Sequence, residues 1–122
     1  MSKKILVTED SSTMRAMICA TIEALGDFDI CEAPNGFEAL RLLPREKFDL
    51  VITDINMPDI NGLELVSFVK NNDQYRAIPL IIVSTEGSER DRKKGMGLGA
   101  DAYLVKPFDP AELQELIEKF LS

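Results

Sequence analysis

LVITDINMPDING, residues 50–62, combines an apolar run, a single acid and a turn. An apolar run with little alternation is typical of a central parallel strand, because helices cover both faces of such a strand. Asp54 follows this run directly, and Met57-Pro58-Asp59 signals a turn beyond it. Taken alone, Asp54 could be an ordinary turn residue. The stretch nevertheless predicts a carboxylate at the carboxyl end of a buried strand.

Four further apolar runs of strand length occur along the chain, separated by amphipathic segments of helix length. Such alternation is typical of repeated βα units. Right-handed crossovers would place the carboxyl ends of all the strands at one edge of a parallel sheet. We therefore predict an α/β fold, a doubly wound five-stranded parallel sheet with helices on both faces. The predicted strands are 4–8, 28–32, 50–53, 80–84 and 102–105.

Capping side chains, each followed three residues later by an acid, mark four helix starts. The first helix is expected to end at Gly26 in a left-handed conformation. The fourth helix is expected to be the least firmly held, since only two apolar residues lie between Gly87 and Gly99. The predicted capping residues are Asn35, Asn61, Ser88 and Asp109.

Length and charge limit the class of protein. A chain of 122 residues with 45% hydrophobic content suits one compact domain, residues 1–122, without an output domain. A net charge of -7 argues against a nucleic-acid-binding surface, which needs clustered Lys and Arg. No apolar run approaches the roughly 20 residues that span a bilayer. No signal peptide precedes the first strand, so we expect a cytoplasmic protein without membrane insertion.

The sequence contains no histidine. This excludes a Ser/His/Asp triad, a histidine-ligated zinc site and an internal phosphohistidine. Any histidine in the chemistry must come from another protein. Cys19 and Cys31 are predicted to be small buried apolar side chains rather than a disulfide.

Polar residues follow four of the predicted strands, and the parallel topology would gather them at one edge. The set is Glu9, Asp10, Asp54, Ser84 and Lys106. Clustered carboxylates repel one another, so they favour a hard cation such as Mg²⁺. A protonated lysine can neutralise an incoming phosphoryl group, and a hydroxyl can donate to it. Each residue alone could be a loop acid, a cap or a solvated lysine, but together they suit phosphoryl transfer to a carboxylate.

Four motifs in combination resemble the receiver domains of two-component response regulators. They are the acid pair Glu9-Asp10, TDINMPDINGLEL around Asp54, IIVSTEG and YLVKPF. The resemblance covers residues 5–121 and implies the flavodoxin-like (βα)5 topology. Within this family, the segment DSSTMR, residues 10–15, is most similar to the single-domain chemotaxis regulators.

The resemblance implies a role for each acid. Asp54 corresponds to the phospho-acceptor and Asp10 to the direct magnesium ligand. Glu9, where many relatives have aspartate, corresponds to a second acid that acts largely through water. Asn56 corresponds to the residue whose backbone carbonyl binds the ion, with Mn²⁺ as an alternative to Mg²⁺. Asn56 and Glu86 also occupy positions that tune the lifetime of the phosphoryl group.

The remaining motif residues correspond to parts of a switch. Lys106 matches the lysine that pairs with the phosphoryl group, and the family implies a cis peptide bond to Pro107. Ser84 matches the switch hydroxyl, a position where many relatives have threonine. Tyr103 matches the aromatic residue whose ring turns inward after phosphorylation.

The implied function is that of a stand-alone response regulator phosphorylated by a histidine kinase. Such a protein is a signalling switch rather than an enzyme, although it catalyses its own phosphorylation and slow dephosphorylation. Its target, for chemotaxis a flagellar motor switch component, would bind the face formed by the fourth helix, fifth strand and fifth helix. A separate phosphatase is a further expected partner.

Three alternatives stay open from the sequence. A phosphorelay intermediate or phosphate sink would use the same chemistry. A haloacid dehalogenase-type phosphatase would need an aspartate at position 56, where this chain has Asn56. A flavin or nucleotide binder would offer backbone amides to phosphate after the first strand, where Glu9 and Asp10 would repel it.

Overall fold

The computed structural model describes residues 2–85 and 89–122, and across these residues strands and helices alternate strictly. The strands are β1 (Lys3–Thr8), β2 (Phe28–Ala33), β3 (Leu50–Thr53), β4 (Leu80–Ser84) and β5 (Ala102–Val105). The helices are α1 (Ser12–Leu25), α2 (Gly36–Leu42), α3 (Gly62–Lys70), α4 (Glu89–Gly97) and α5 (Pro110–Leu121). The observed β1 begins one residue earlier than predicted, and β2 ends one residue later.

The strands form one parallel sheet in the order β2-β1-β3-β4-β5. Its register sets Thr8 opposite Thr53 and Ser84 opposite Val105. The carboxyl ends of β1, β3, β4 and β5 therefore lie at one edge of the sheet, hereafter the carboxyl edge. This is the predicted flavodoxin-like (βα)5 fold, with helices on both faces.

The apolar core has two halves, one on each face of the sheet. Successive strand residues point to opposite faces, so Ile5 packs in one half and Leu6 in the other. Helices α1 and α5 cover the half that contains Ile5, through side chains such as Ile18 and Ile117. Helices α2 and α3 cover the other half. A sheet buried on both faces explains why its strands read as continuous apolar runs.

Three of the predicted helix caps are present. The side chains of Asn35, Asn61 and Asp109 each accept a backbone N–H from the first turn of their helix, and the last two form full capping boxes. The predicted cap Ser88 lies outside the described residues. Gly26 does end α1, but the prediction of a left-handed conformation was wrong, because its φ of 170° and ψ of -165° are extended.

The cysteines are both free and lie on opposite faces of the sheet. Cys19 is buried on α1, as predicted, whereas Cys31 is only half-buried. Burial raises the pKa of the Cys19 thiol to about 11, so this thiol stays protonated at neutral pH. Within the described part of the chain, no helix has the length and apolar character needed to cross a membrane.

Candidate functional site

Three carboxylates converge at the carboxyl edge. Each of Glu9, Asp10 and Asp54 offers one oxygen, and these oxygens lie within 4.8 Å of one another. Glu9 is 1% exposed and Asp54 is 6% exposed, whereas Asp10 is open to solvent. The predicted gathering of acids from the ends of β1 and β3 is therefore present.

Asp54 is held by hydrogen bonds on both its backbone and its carboxylate. Its N–H donates to the Thr8 carbonyl at 3.0 Å, which continues the β1–β3 pairing one residue past the strand. Its Oδ1 accepts the Ile55 N–H at 2.7 Å, and its carbonyl accepts the Thr53 hydroxyl at 2.9 Å. Gly62 lies against this carbonyl so closely that a Cβ there would collide with it. The orientation of the Asp54 carboxylate is therefore fixed by its neighbours.

Lys106 reaches into the acid cluster from the end of β5. Its side chain is 7% exposed, and its ammonium lies 2.5 Å from Glu9 Oε1 and 3.5 Å from Asp54 Oδ2. The Lys106 N–H donates to the Ser84 carbonyl at 2.8 Å, and the Lys106–Pro107 peptide bond is cis, as the family implied. Sequence reasoning placed this lysine opposite the acids but did not foresee that Glu9 is its closest partner.

Glu9 uses every polar atom it has. Its N–H donates to the Ala33 carbonyl at 3.0 Å, and its carbonyl accepts Arg15 Nη1 at 2.8 Å. Its Oε1 accepts from Lys106, and its Oε2 accepts the Ser11 N–H at 3.1 Å. Burial raises the pKa of the Glu9 carboxyl, and the nearby Asp54 charge adds to this, while Lys106 and Ser11 oppose it.

The charges in this cluster do not balance. Among the described residues, the cluster holds three carboxylates, and the Lys106 ammonium is paired with two of them, Glu9 and Asp54. The excess is negative, the donor atoms are carboxylate oxygens, and one acid is open to solvent. Mg²⁺ prefers oxygen ligands and retains several waters, so the residues present fit this ion. Asn56, the fourth predicted ligand, is two residues beyond Asp54 and solvent-exposed.

The predicted switch residues lie on the β4 and β5 side of the site. Ser84 is fully buried at the end of β4, and Tyr103 is 6% exposed within β5. A groove of about 520 Å³ lies beside Tyr103 and is formed by α4, β5 and α5. This groove lies on the face predicted for the target protein. Glu86, predicted to tune the phosphoryl lifetime, lies outside the described residues.

Arg15 is a site residue that sequence reasoning missed. Besides the Glu9 carbonyl, it contacts Glu32 through Nε at 3.0 Å. Its position in the first turns of α1, directly after the acid pair, was the one available signal. Nothing in the residue spacing indicates which carbonyl an arginine side chain will bind.

Comparisons with known proteins agree with this geometry. Residues 5–118 match the family model of the response regulator receiver domain. A chemotaxis protein CheY homolog of Campylobacter jejuni is 44% identical over 97% of this chain and 92% of its own. The solved structure of the Vibrio cholerae chemotaxis protein CheY4 has a TM-score of 0.90 and 34% identity, covering 99% of this chain and all of that one.

A further solved structure bears on the metal. The receiver domain of a Pseudomonas aeruginosa sensor histidine kinase is 26% identical to this chain, with a TM-score of 0.88, and the match covers 98% of both chains. That structure has a magnesium ion coordinated in its active site cleft. The match to the family model over most of its length shows that this chain belongs to the response regulator receiver domain family.

Proposed function

We propose that this chain is a stand-alone cytoplasmic response regulator that accepts a phosphoryl group from a histidine kinase on Asp54. The observation that carries the proposal is the convergence of Glu9, Asp10 and Lys106 around a buried, fixed Asp54. The family and the similarity to chemotaxis regulators support it.

In the transfer step, an Asp54 carboxylate oxygen attacks the phosphorus of the donor phosphohistidine. The new P–O bond forms as the P–N bond breaks, and the electron pair of the P–N bond stays on the histidine nitrogen. The Ile55 N–H holds the carboxylate in one orientation during this attack. Lys106 lies close enough to Asp54 to pair with the arriving phosphoryl oxygens.

A magnesium ion, or Mn²⁺ in its place, would be held by Asp10, Asp54 and the Asn56 carbonyl, with Glu9 acting through water, and would supply positive charge to the phosphoryl oxygens. The same pocket would then admit water for slow dephosphorylation. The exposed Asn56, together with Glu86, would tune the rate of this dephosphorylation.

The switch would follow from the new charge on Asp54. The phosphoryl group would draw in the Ser84 hydroxyl and Lys106, pulling on the loop after β4. Tyr103 and α4 border the groove on the α4–β5–α5 face, so this movement would change the shape of that face. A target such as a flagellar motor switch component would read the change, and a phosphatase would end it.

Acetyl phosphate with Mg²⁺ tests the acceptor assignment. Intact mass spectrometry should show one added phosphoryl group on the wild-type chain and none on Asp54→Asn. Asp59→Asn is a matched control, because Asp59 is an exposed acid of the same loop with a positive φ of 66° that asparagine tolerates. Equal labelling of Asp54→Asn and the wild type would overturn the assignment.

Amide chemical shifts test the switch separately. Phosphorylation should shift resonances in α4 and around Tyr103 as well as in the acid pocket. Shifts confined to the pocket, with the α4–β5–α5 face silent, would contradict the switch while leaving the acceptor assignment intact.

A phosphorelay intermediate is the second candidate. The likeness to the receiver domain of a sensor histidine kinase favours it, because the same fold serves within a kinase there. Back-transfer from phosphorylated protein to a histidine phosphotransfer domain, without phosphorylation-dependent binding of a motor component, would support the relay over the switch.

A further inference from the structure

The peptide groups on either side of Asp10 are both fixed by hydrogen bonds, and Arg15 makes one of them. The carbonyl before Asp10, that of Glu9, accepts Arg15 Nη1 at 2.8 Å. The N–H after it, that of Ser11, donates to Glu9 Oε2 at 3.1 Å. Asp10 itself is exposed, and one of its oxygens lies in the cluster with Glu9 and Asp54, so these two contacts hold the backbone from which that side chain projects.

Arg15 is well placed to hold this carbonyl. Its backbone N–H donates to the Ser11 carbonyl at 2.9 Å, at the start of α1. Its side-chain Nε donates to the carboxylate of Glu32, on β2, at 3.0 Å. Its side chain is 20% exposed, so most of it is packed. The guanidinium therefore ties the loop after β1 to both α1 and β2. The planar guanidinium presents Nε and Nη1 to two partners at once in a fixed geometry, which the compact ammonium of a lysine does not reproduce.

We propose that Arg15 is a positioning residue for the magnesium site, acting through the Glu9–Asp10 peptide group rather than by touching the ion. The inference rests on the proposed magnesium site of Glu9, Asp10 and Asp54. Groups that orient metal ligands commonly change metal affinity by about 10- to 100-fold when removed.

Because Arg15 is positively charged, a positioning role and a purely electrostatic role predict opposite changes in Mg²⁺ affinity when it is removed. A cation near the acid cluster repels Mg²⁺, so removing its charge alone would make Mg²⁺ bind more tightly. Loss of positioning would make Mg²⁺ bind more weakly. The direction of the change in affinity therefore separates a positioning role from a purely electrostatic one.

The experiment is a titration of the whole protein with Mg²⁺ alone. Calorimetry and amide chemical shifts each measure the Mg²⁺ affinity during the titration. Arg15→Ala should bind Mg²⁺ about tenfold more weakly than the wild type. Arg15→Lys, which keeps the charge and loses the fork, should also bind more weakly. Arg41→Ala is the matched control, since Arg41 makes a similar two-nitrogen contact with Glu38 on the exposed face of α2. It should bind Mg²⁺ within about twofold of the wild type.

Mg²⁺ affinity of Arg15→Ala equal to or tighter than that of the wild type would overturn the proposal. If Arg15→Ala fails to fold, a Mg²⁺ affinity of Arg15→Lys equal to that of the wild type would overturn the proposal instead. Asp10→Asn tests the metal site itself, independently of Arg15. If Asp10→Asn and the wild type bind Mg²⁺ equally well, the proposed metal site is refuted, and the role of Arg15 is refuted with it.

Discussion

Helices α3 and α4 both contain nine residues, yet the rest of the protein holds them very differently. Four residues of α3 are buried, and its start is fixed by a full capping box from Asn61 and Glu64. In α4, all nine residues of which are described, Gly95 alone is buried. Helical stability in proteins comes mostly from such packing, so α3 should be much the more stable of the two.

The difference follows the proposed division of labour. Helix α3 begins at Gly62, which lies against the Asp54 carbonyl, so a firmly held α3 keeps the proposed acceptor in place. Helix α4 borders the groove beside Tyr103, the face on which we propose that a partner binds. A loosely packed helix can shift at low cost in free energy, whereas the acceptor needs a fixed geometry.

The largest expected effect is that of Gly62→Ala. The new Cβ would collide with the backbone carbonyl of Asp54, and backbone cannot move aside as the end of a side chain can. We expect the free energy of unfolding, measured in urea, to fall by about 3 kcal/mol. A loss below about 1 kcal/mol would mean that the start of α3 is not tightly packed.

The second-largest expected effect is a difference in amide hydrogen exchange rate between α3 and α4. Amides in the last turn of α4 should exchange on the order of tenfold faster than those in the last turn of α3, because few buried contacts oppose local opening of α4. Comparing residues of equal distance from their helix ends controls for fraying. Equal protection in the two helices would remove the contrast.

Asn61→Ala should cost about 1 kcal/mol, because it removes the acceptor for the Glu64 N–H at 2.9 Å. Asn61→Asp is the matched variant, since aspartate caps a helix about as well as asparagine. Thermal unfolding should therefore show a lowered midpoint for the first variant and a midpoint near the wild type for the second. A similar loss in both would indicate that the amide rather than the cap matters.

The smallest effect should be a gain, from Gly97→Ala. A Cβ at Gly97 would meet nothing within 4 Å, so alanine adds helix propensity to α4 without a clash. We expect about 0.5 to 1 kcal/mol of added stability in the same urea measurement. Destabilisation here would show that α4 is packed more closely than its exposure indicates.

Much of the fold was predictable, because it depends on patterns local in sequence. Buried parallel strands require apolar runs, and the caps at Asn61 and Asp109 follow from residue types three apart. The extended backbone at Gly26 was not predictable, since glycine is as permissive of extended as of left-handed conformations.

Only those features of the site that follow from the strand topology were predictable from the sequence. Parallel strands bring Glu9, Asp54 and Lys106 to one edge whatever their side-chain conformations. Which acid the lysine contacts more closely depends on rotamers, and the preference for Glu9 over Asp54 has no sequence signal. The role of Arg15 depends equally on three-dimensional contacts, with residues 6 and 17 positions away.

Chemical trapping of the phosphoryl group tests the acceptor at the level of a single residue. Borohydride reduces an aspartyl phosphate to homoserine but leaves free carboxylates and phosphorylated hydroxyls unchanged. After treatment with acetyl phosphate and Mg²⁺, then borohydride, peptide mapping should find homoserine at position 54. Homoserine at another aspartate, or a phosphate retained on Ser84, would contradict the assignment of Asp54 as the acceptor.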